Sequence, residues 1–308
     1  MNKSSTSRGL REMLAVALSL FFFMTPVQAQ NAAAEAEITA ALDAARAVAQ
    51  HGPVEIKMGN QGKLNLPEGY VFIPSPQAAR ILTAMGNRAG NNLLGLIFPG
   101  ESAGDDDHWF MVARYEASGY IKDDDARDWN ADDLLKSLKE GTEAANADRR
   151  SRGIPEMEIV GWVEKPTYDA AARRLVWSMS SRDKGAAAGS EQGVNYNTYA
   201  LGREGYITLN LVTSLRTVEK EKPLAKKMLA ALEFDEGKRY TDFNISTDKV
   251  AEYGLAALVA GVAAKKLGLF AIIGAFFLKF TKVLLLGGAA VMAGAVKWWK
   301  GKKDTDAS

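Results

Sequence analysis

Between residues 32 and 249 the apolar positions of the chain change period repeatedly. "AAAEAEITAALDAARAVAQHG" is alanine-rich and helix-favouring, and it stops at Gly52-Pro53. "VEIKMGNQGKLNL" alternates about Gly59-Asn60-Gln61-Gly62, which predicts a β-hairpin. "SPQAARILTAM" predicts a short helix with Ser75 as its cap and Pro76 at the first position. "LLGLIF" and "WFMVARY" read as strands. "WNADDLLKSLKEGTEAANADRR" is a helix with Asn130 as cap, Asp132 and Asp133 in the first turn where the dipole favours anions, and Arg149-Arg150 at its end. Four more strands follow in "MEIVGWVE", "RRLVWSMSS", "VNYNTYALG" and "EGYITLNLVTS", the last two meeting at a turn over residues 202–205. "DKGAAAGSEQG" (residues 183–193) separates two of them as a loop. "KPLAKKMLAAL" predicts a final helix. Strand runs broken by isolated helices imply an α+β domain on an antiparallel sheet.

Two apolar stretches lie outside this pattern. Lys3, Arg8 and Arg11 precede "MLAVALSLFFFM", and "TPVQA" then places the small residues Val27 and Ala29 before a cleavage point at Gln30. Basic, apolar and cleavage regions in that order read as a secretory signal. The apolar run is too short to cross ~30 Å of hydrocarbon as a stable span.

From residue 253 to 299 the chain is again almost wholly apolar, but lysines divide it. Lys265 and Lys266, then Lys279 and Lys282, separate blocks 253–264, 267–278 and 283–296, each shorter than the ~20 residues of a span. A lysine at mid-bilayer costs about 2.5–3.5 kcal/mol, whereas each Leu, Ile or Phe returns about 0.3–0.6 kcal/mol. Three arrangements remain open: a single span formed by the last block after interfacial helices, a two-helix membrane hairpin, or a buried hairpin in a soluble protein. Trp298 and Trp299 suit the headgroup level, and Lys297, Lys300, Lys302 and Lys303 mark a cytoplasmic end, which favours the first. The resulting plan is a signal peptide over 1–29, an N-terminal helix over 30–52, an α+β domain over 53–249, membrane-anchoring helices over 250–300 and a polar tail over 301–308.

Charge is segregated along this plan. The whole chain carries +1, but residues 1–29 hold +2 and residues from Val250 onward +5, so the body between them is acidic at −6. Such a body gives no electrostatic reason to expect nucleic acid as a partner. The absence of cysteine excludes disulfides, thiolate zinc sites and iron–sulfur clusters.

Candidate chemistry changes little. Gly100-Glu101-Ser102-Ala103-Gly104 matches the nucleophile elbow G-x-S-x-G, but an acidic turn follows where a helix is needed. Only His51 and His108 are present, and neither stands late in the chain as the base. The acidic runs Asp105-Asp106-Asp107-His108 and "KDDDARD" offer oxygen ligands but lack the spacing and glycine of a calcium loop, and they read as solvated turns. The S-x-x-K matches at Ser181 and Ser246 lack companion motifs, and no phosphate loop or dinucleotide fingerprint occurs. No catalytic residue, metal or cofactor is therefore assigned.

Several ordered blocks carry a resemblance: "GYIKDDDARDWNADDLL", "NADRRSRGIPEMEIVGW", "KPTYDAAARRLVW", "VNYNTYALGREG" and "DKVAEYGLAALVAGVAAKKLGLF". Together, over roughly residues 54–296, they resemble a bacterial membrane-anchored family catalogued as domain of unknown function 2167. The resemblance implies export, a C-terminal membrane anchor and a shared α+β body. It brings no activity, cofactor or catalytic residue.

The leading expectation is a non-enzymatic envelope protein, with its main domain in the periplasm and its C-terminal helices in the inner membrane. Its partners would be the lipid bilayer and an envelope protein of unknown identity. A rival reading is a ligand-binding or enzymatic domain using Asp123, Asp125, Asn195, Tyr196, Asn197 and Arg203, which requires the acidic turn and the strand at Asn195 to share one concave pocket. A third is a membrane-active or lipid-sensing role for the lysine-studded C-terminal region itself.

Overall fold

The structure, a computed structural model, describes residues 26–85, 87, 89–100, 109–151 and 155–260, with side chains from Ala36 onward. Most of the expected leader, the serine loop after Gly100 and the lysine-divided region with Lys265, Lys266, Lys279, Lys282, Lys297, Trp298, Trp299 and Lys300 lie outside the described residues. Among the described residues no helix is long and apolar enough to cross a membrane.

Eight strands form one antiparallel sheet: β1 (Gln50–His51), β4 (Tyr70–Pro74), β5 (Leu93–Pro99), β6 (Phe110–Glu116), β7 (Met157–Asp169), β8 (Arg174–Asp183), β9 (Gly193–Leu201) and β10 (Tyr206–Ser214). Their spatial order is β1-β4-β5-β6-β10-β9-β8-β7. A second sheet joins β2 (Val54–Lys57), β3 (Gly62–Leu66) and β11 (Leu232–Phe234) in the order β11-β3-β2. The helices are α1 (Pro26–Arg46), α2 (Gln77–Ala84), α3 (Ala131–Ser151), α4 (Val218–Ala230) and α5 (Leu255–Ala260). The fold is α+β, as the alternation of periods implied.

Both faces of the large sheet are covered at its centre, so β9 and β10 bury nearly every position. On one face α4 and the small sheet enclose Leu64, Met111, Tyr196, Leu211 and Met228. The other face carries two separate cores. One packs α1 and α2 on β4, β5 and β6 through Leu42, Ile81, Leu96 and Phe110. The second packs α3 and α5 on β7, β8 and β9 through Leu134, Trp177, Tyr199, Leu255 and Val259.

Several local expectations are revised. The first helix ends at Arg46, and Gln50–His51 pair with β4 instead of extending it. That helix also runs through Ala29 and Gln30, the residues flanking the expected cleavage point. Ser75 does not cap α2. Its N–H is engaged by the Leu94 carbonyl at 3.0 Å, Pro76 takes the cap position, and no side chain caps this helix. The helix read from Lys222 begins earlier, at Val218, with Pro223 inside it. Asn130 does cap α3, accepting from the Asp132 and Asp133 N–H groups at 2.8 and 3.3 Å. Residues 255–260, assigned by hydropathy to the anchoring region, are here a helix with Leu255, Leu258, Val259 and Ala260 buried in the third core.

Candidate functional site

The segment leading to α5 is clamped to the body by groups from two distant parts of the chain, residues 119–125 and Arg203. Tyr120 forms a parallel bridge with Val250, giving its N–H to the Lys249 carbonyl and accepting from the Ala251 N–H, both at 2.8 Å. Its ring stacks on Phe243 at 3.8 Å and on Tyr240 at 4.4 Å between centroids. Gly119 sits against this bridge with φ +95°, and a Cβ there would lie 2.7 Å from the Lys249 carbonyl oxygen.

The acidic turn gives two of its carboxylates definite work. A short 3-10 turn over Asp124–Arg127 aims Asp125 at α5, whose Leu255 and Ala256 N–H groups donate to its two oxygens at 3.0 Å each. These are amides of the first helical turn, which has no intrahelical acceptors for them. Asp123 accepts from the Tyr168 hydroxyl at 2.7 Å and from the Arg173 guanidinium. Burial raises its pKa, but the Tyr168 hydrogen bond and the Arg173 charge are among the effects that outweigh this and hold the carboxyl below its ordinary value.

Arg203, at the β9–β10 turn, grips Asp248 with two parallel bonds of 2.6 and 2.8 Å and reaches the Gly237 carbonyl at 3.2 Å. The Asn244 N–H adds a third bond to Asp248 at 2.7 Å. The Arg203 hydrogen bonds first, and that amide next, hold the Asp248 carboxyl far below the usual carboxylate range. Both Asp123 and Asp248 are therefore depressed in the folded chain. Their contribution is complete above the unfolded carboxylate pKa of about 4 and is lost as pH falls below it. Urea midpoints measured from pH 7 to pH 3 should fall steeply below about pH 4. In an Asp248→Asn chain, already weaker at neutral pH, that fall should be shallower; an unchanged profile would contradict this assignment.

Beside this junction lies an open cavity of about 440 Å³, walled by Arg173, Arg174, Glu233, Arg239, Tyr240 and Thr241. The β7–β8 hairpin supplies the first two arginines. Asp169 closes its turn by accepting the Ala171 and Ala172 N–H groups at 2.9 and 3.0 Å. Arg173 then takes φ 56°, the left-handed region uncommon for a residue with a side chain. Its guanidinium sits 4.7 Å from the centre of the Tyr240 ring. Arg174 donates to the Leu232 carbonyl at 2.5 Å, tying β8 to β11. Burial lowers its pKa, and among the described residues no carboxylate pairs with it. Tyr240 donates its hydroxyl to the Ile121 carbonyl at 2.8 Å, so one residue serves both the cavity wall and the clamped junction.

The residues singled out from sequence do not converge on one pocket. Asp123 touches the cavity through Arg173, while Asp125 and Arg203 belong to the junction. On β9, Asn195 and Asn197 share the face of Tyr199 and Leu201, and Tyr196 points to the opposite face. Leu201 borders the cavity, which leaves Asn197 and Asn195 about 13 and 20 Å away along the strand. Tyr196 instead donates to Glu164 at 2.9 Å beneath Lys226, its phenol pushed up by burial and by that carboxylate. Asn195 is buried with its Oδ1 lacking a partner among the described residues. The side-by-side arrangement of the acidic turn and Asn195 is not observed. The cavity arginines were not singled out. The Arg173-Arg174 pair next to a turn was the available signal, but Arg239 is 65 residues further on and joins it only through the fold. Among the described residues no three acidic or histidine side chains are placed to hold a metal ion.

A family model described as "Protein of unknown function (DUF2167)" matches residues 50–289. No curated protein matches the chain. Among solved structures it is similar to the solution structure of cyanobacterial PsbP (CyanoP) from Synechocystis sp. PCC 6803, at 9% identity, over 61% of this chain and 91% of that one, with a TM-score of 0.35. A likeness this distant bears on no functional assignment.

Proposed function

The chain belongs to the DUF2167 family, and from that premise we propose a membrane-anchored envelope protein whose periplasmic body is a binding module for another envelope component. The basic-apolar-cleavage order of the N-terminus supports export. The lysine-divided apolar stretch ending in Trp298-Trp299 and flanking lysines supports attachment to the inner membrane by C-terminal helices.

One observation carries the reading: the start of that apolar stretch is part of the folded body. Asp125 holds the first amides of α5, and Leu255 and Val259 are fully buried in the third core. A flexible tether would need none of these contacts. On this reading the start of the apolar stretch moves with the body, whose surface includes the arginine-lined cavity.

Two reporter fusions test the topology. One is placed after Ser308 and the other at Gly189, where added atoms meet nothing within 4 Å. A periplasmic signal at Gly189 with a cytoplasmic one after Ser308 is the expected result and gives an odd number of crossings. Cytoplasmic signals from both would end the proposal.

A further inference from the structure

The cavity beside the junction is more cationic than its surroundings neutralise. Three arginines line it from two separate parts of the chain, and Glu233 is the acid on its wall. Asp123 neutralises Arg173 from outside. Arg174 is half-buried with a single carbonyl partner, and Arg239 is exposed with no ion pair among the described residues. A guanidinium offers five N–H donors in a planar fork, and one withdrawn from water without a counter-ion is unfavourable until an anion supplies acceptors. The left-handed Arg173 is a second sign of a built site, since such conformations persist where the surrounding contacts enforce them. Here Asp123 and the Tyr240 ring do so.

We propose that this cavity binds a phosphate-bearing group, with Arg174 and Arg239 supplying the forked donors and Arg173 oriented by Asp123 as the third cation. Forks arriving from a strand end and from the Arg239 loop suit the spread oxygens of a tetrahedral anion better than the two of a planar carboxylate. The cavity is open and larger than phosphate alone requires, which leaves room for a further moiety on the ligand. The proposal rests on the body being a binding module and specifies the chemistry of its site. A phospholipid headgroup and a soluble phosphate ester share that chemistry.

The test uses the full chain in neutral detergent. Its thermal midpoint and ligand binding are measured against inorganic phosphate, acetate and chloride at equal ionic strength, and separately against micelles doped with phosphatidylglycerol. Phosphate should raise the midpoint where acetate and chloride do not. Arg239→Ala should weaken phosphate binding about tenfold, as loss of a charge-assisted hydrogen bond implies, without moving the unliganded midpoint. Arg174→Gln should weaken it similarly. Tighter binding to the doped micelles than to free phosphate assigns the group to a lipid; equal binding assigns it to a soluble ester. An absent phosphate effect, an equal response to acetate, or binding unchanged in both variants overturns the proposal. Membrane fractionation of the same chains separates this outcome from failure of the anchored-module reading: a membrane-bound chain that ignores phosphate loses only this site, and a phosphate-binding chain in the soluble fraction loses only the anchor.

Discussion

Replacing Asp125 with alanine lowers stability by about 2 kcal/mol and releases residues 250–256 to proteases. The loss has two parts. The Leu255 and Ala256 N–H groups lose their acceptors, each bonded at 3.0 Å in the intact chain. The first turn of α5 also loses a negative charge where the helix dipole favours one. The register of α5 on the sheet depends on that first turn and on the burial of Leu255. Asp125→Asn keeps one acceptor oxygen and should retain part of the stability. Urea unfolding of the three chains, followed by limited proteolysis, measures the effect. Equal midpoints for the parent and the alanine chain would mean that the junction does not need its clamp.

The second large effect is expected at the opposite end of the same core. Asn146, on α3, is fully buried. Its amide donates to the Met157 carbonyl and accepts from the Met157 N–H, both at 2.9 Å. Met157 opens β7, the last strand of the large sheet, whose outer edge has no neighbouring strand among the described residues. Asn146 thus completes the ladder as another peptide group would, and it fixes α3 to that edge. Asn146→Ala leaves two buried backbone groups without partners and should cost about 3 kcal/mol. Asn146→Asp keeps the acceptor but loses the donor, and should be damaging too. The two alanine variants act about one core apart, so a combined chain measures whether α3 and α5 unfold together.

Much of this architecture is legible in the sequence because the periods are clear. The alternating runs of β8, β9 and β10 are long enough to be read as strands, and the Asn130 cap follows from position and residue type alone. The same period of two already divides Tyr196 from Asn195 and Asn197, so those three cannot face one pocket on a regular strand. The parts that sequence misses have physical reasons. β1 and β11 are two and three residues long, too short to display any period. Hydropathy cannot distinguish the buried face of α5 from the start of a membrane segment, because both are apolar runs. The acidic turn reads as solvated, yet its carboxylates pair with Tyr168, Arg173 and the α5 amides, partners at least 45 residues away in sequence. Arg174 and Arg239 meet only through the pairing of β11 with β3 and the loop after it, which leaves no local trace.

The central claim is that the body and the start of the apolar C-terminal stretch form one unit. Hydrogen exchange at the amides of residues 255–260, measured in the full chain in lipid bilayers, tests it directly. The account predicts protection matching that of β9 and β10, lost with them in a single opening, and lost early in Asp125→Ala. Rapid exchange at those six amides while the sheet stays protected would contradict it.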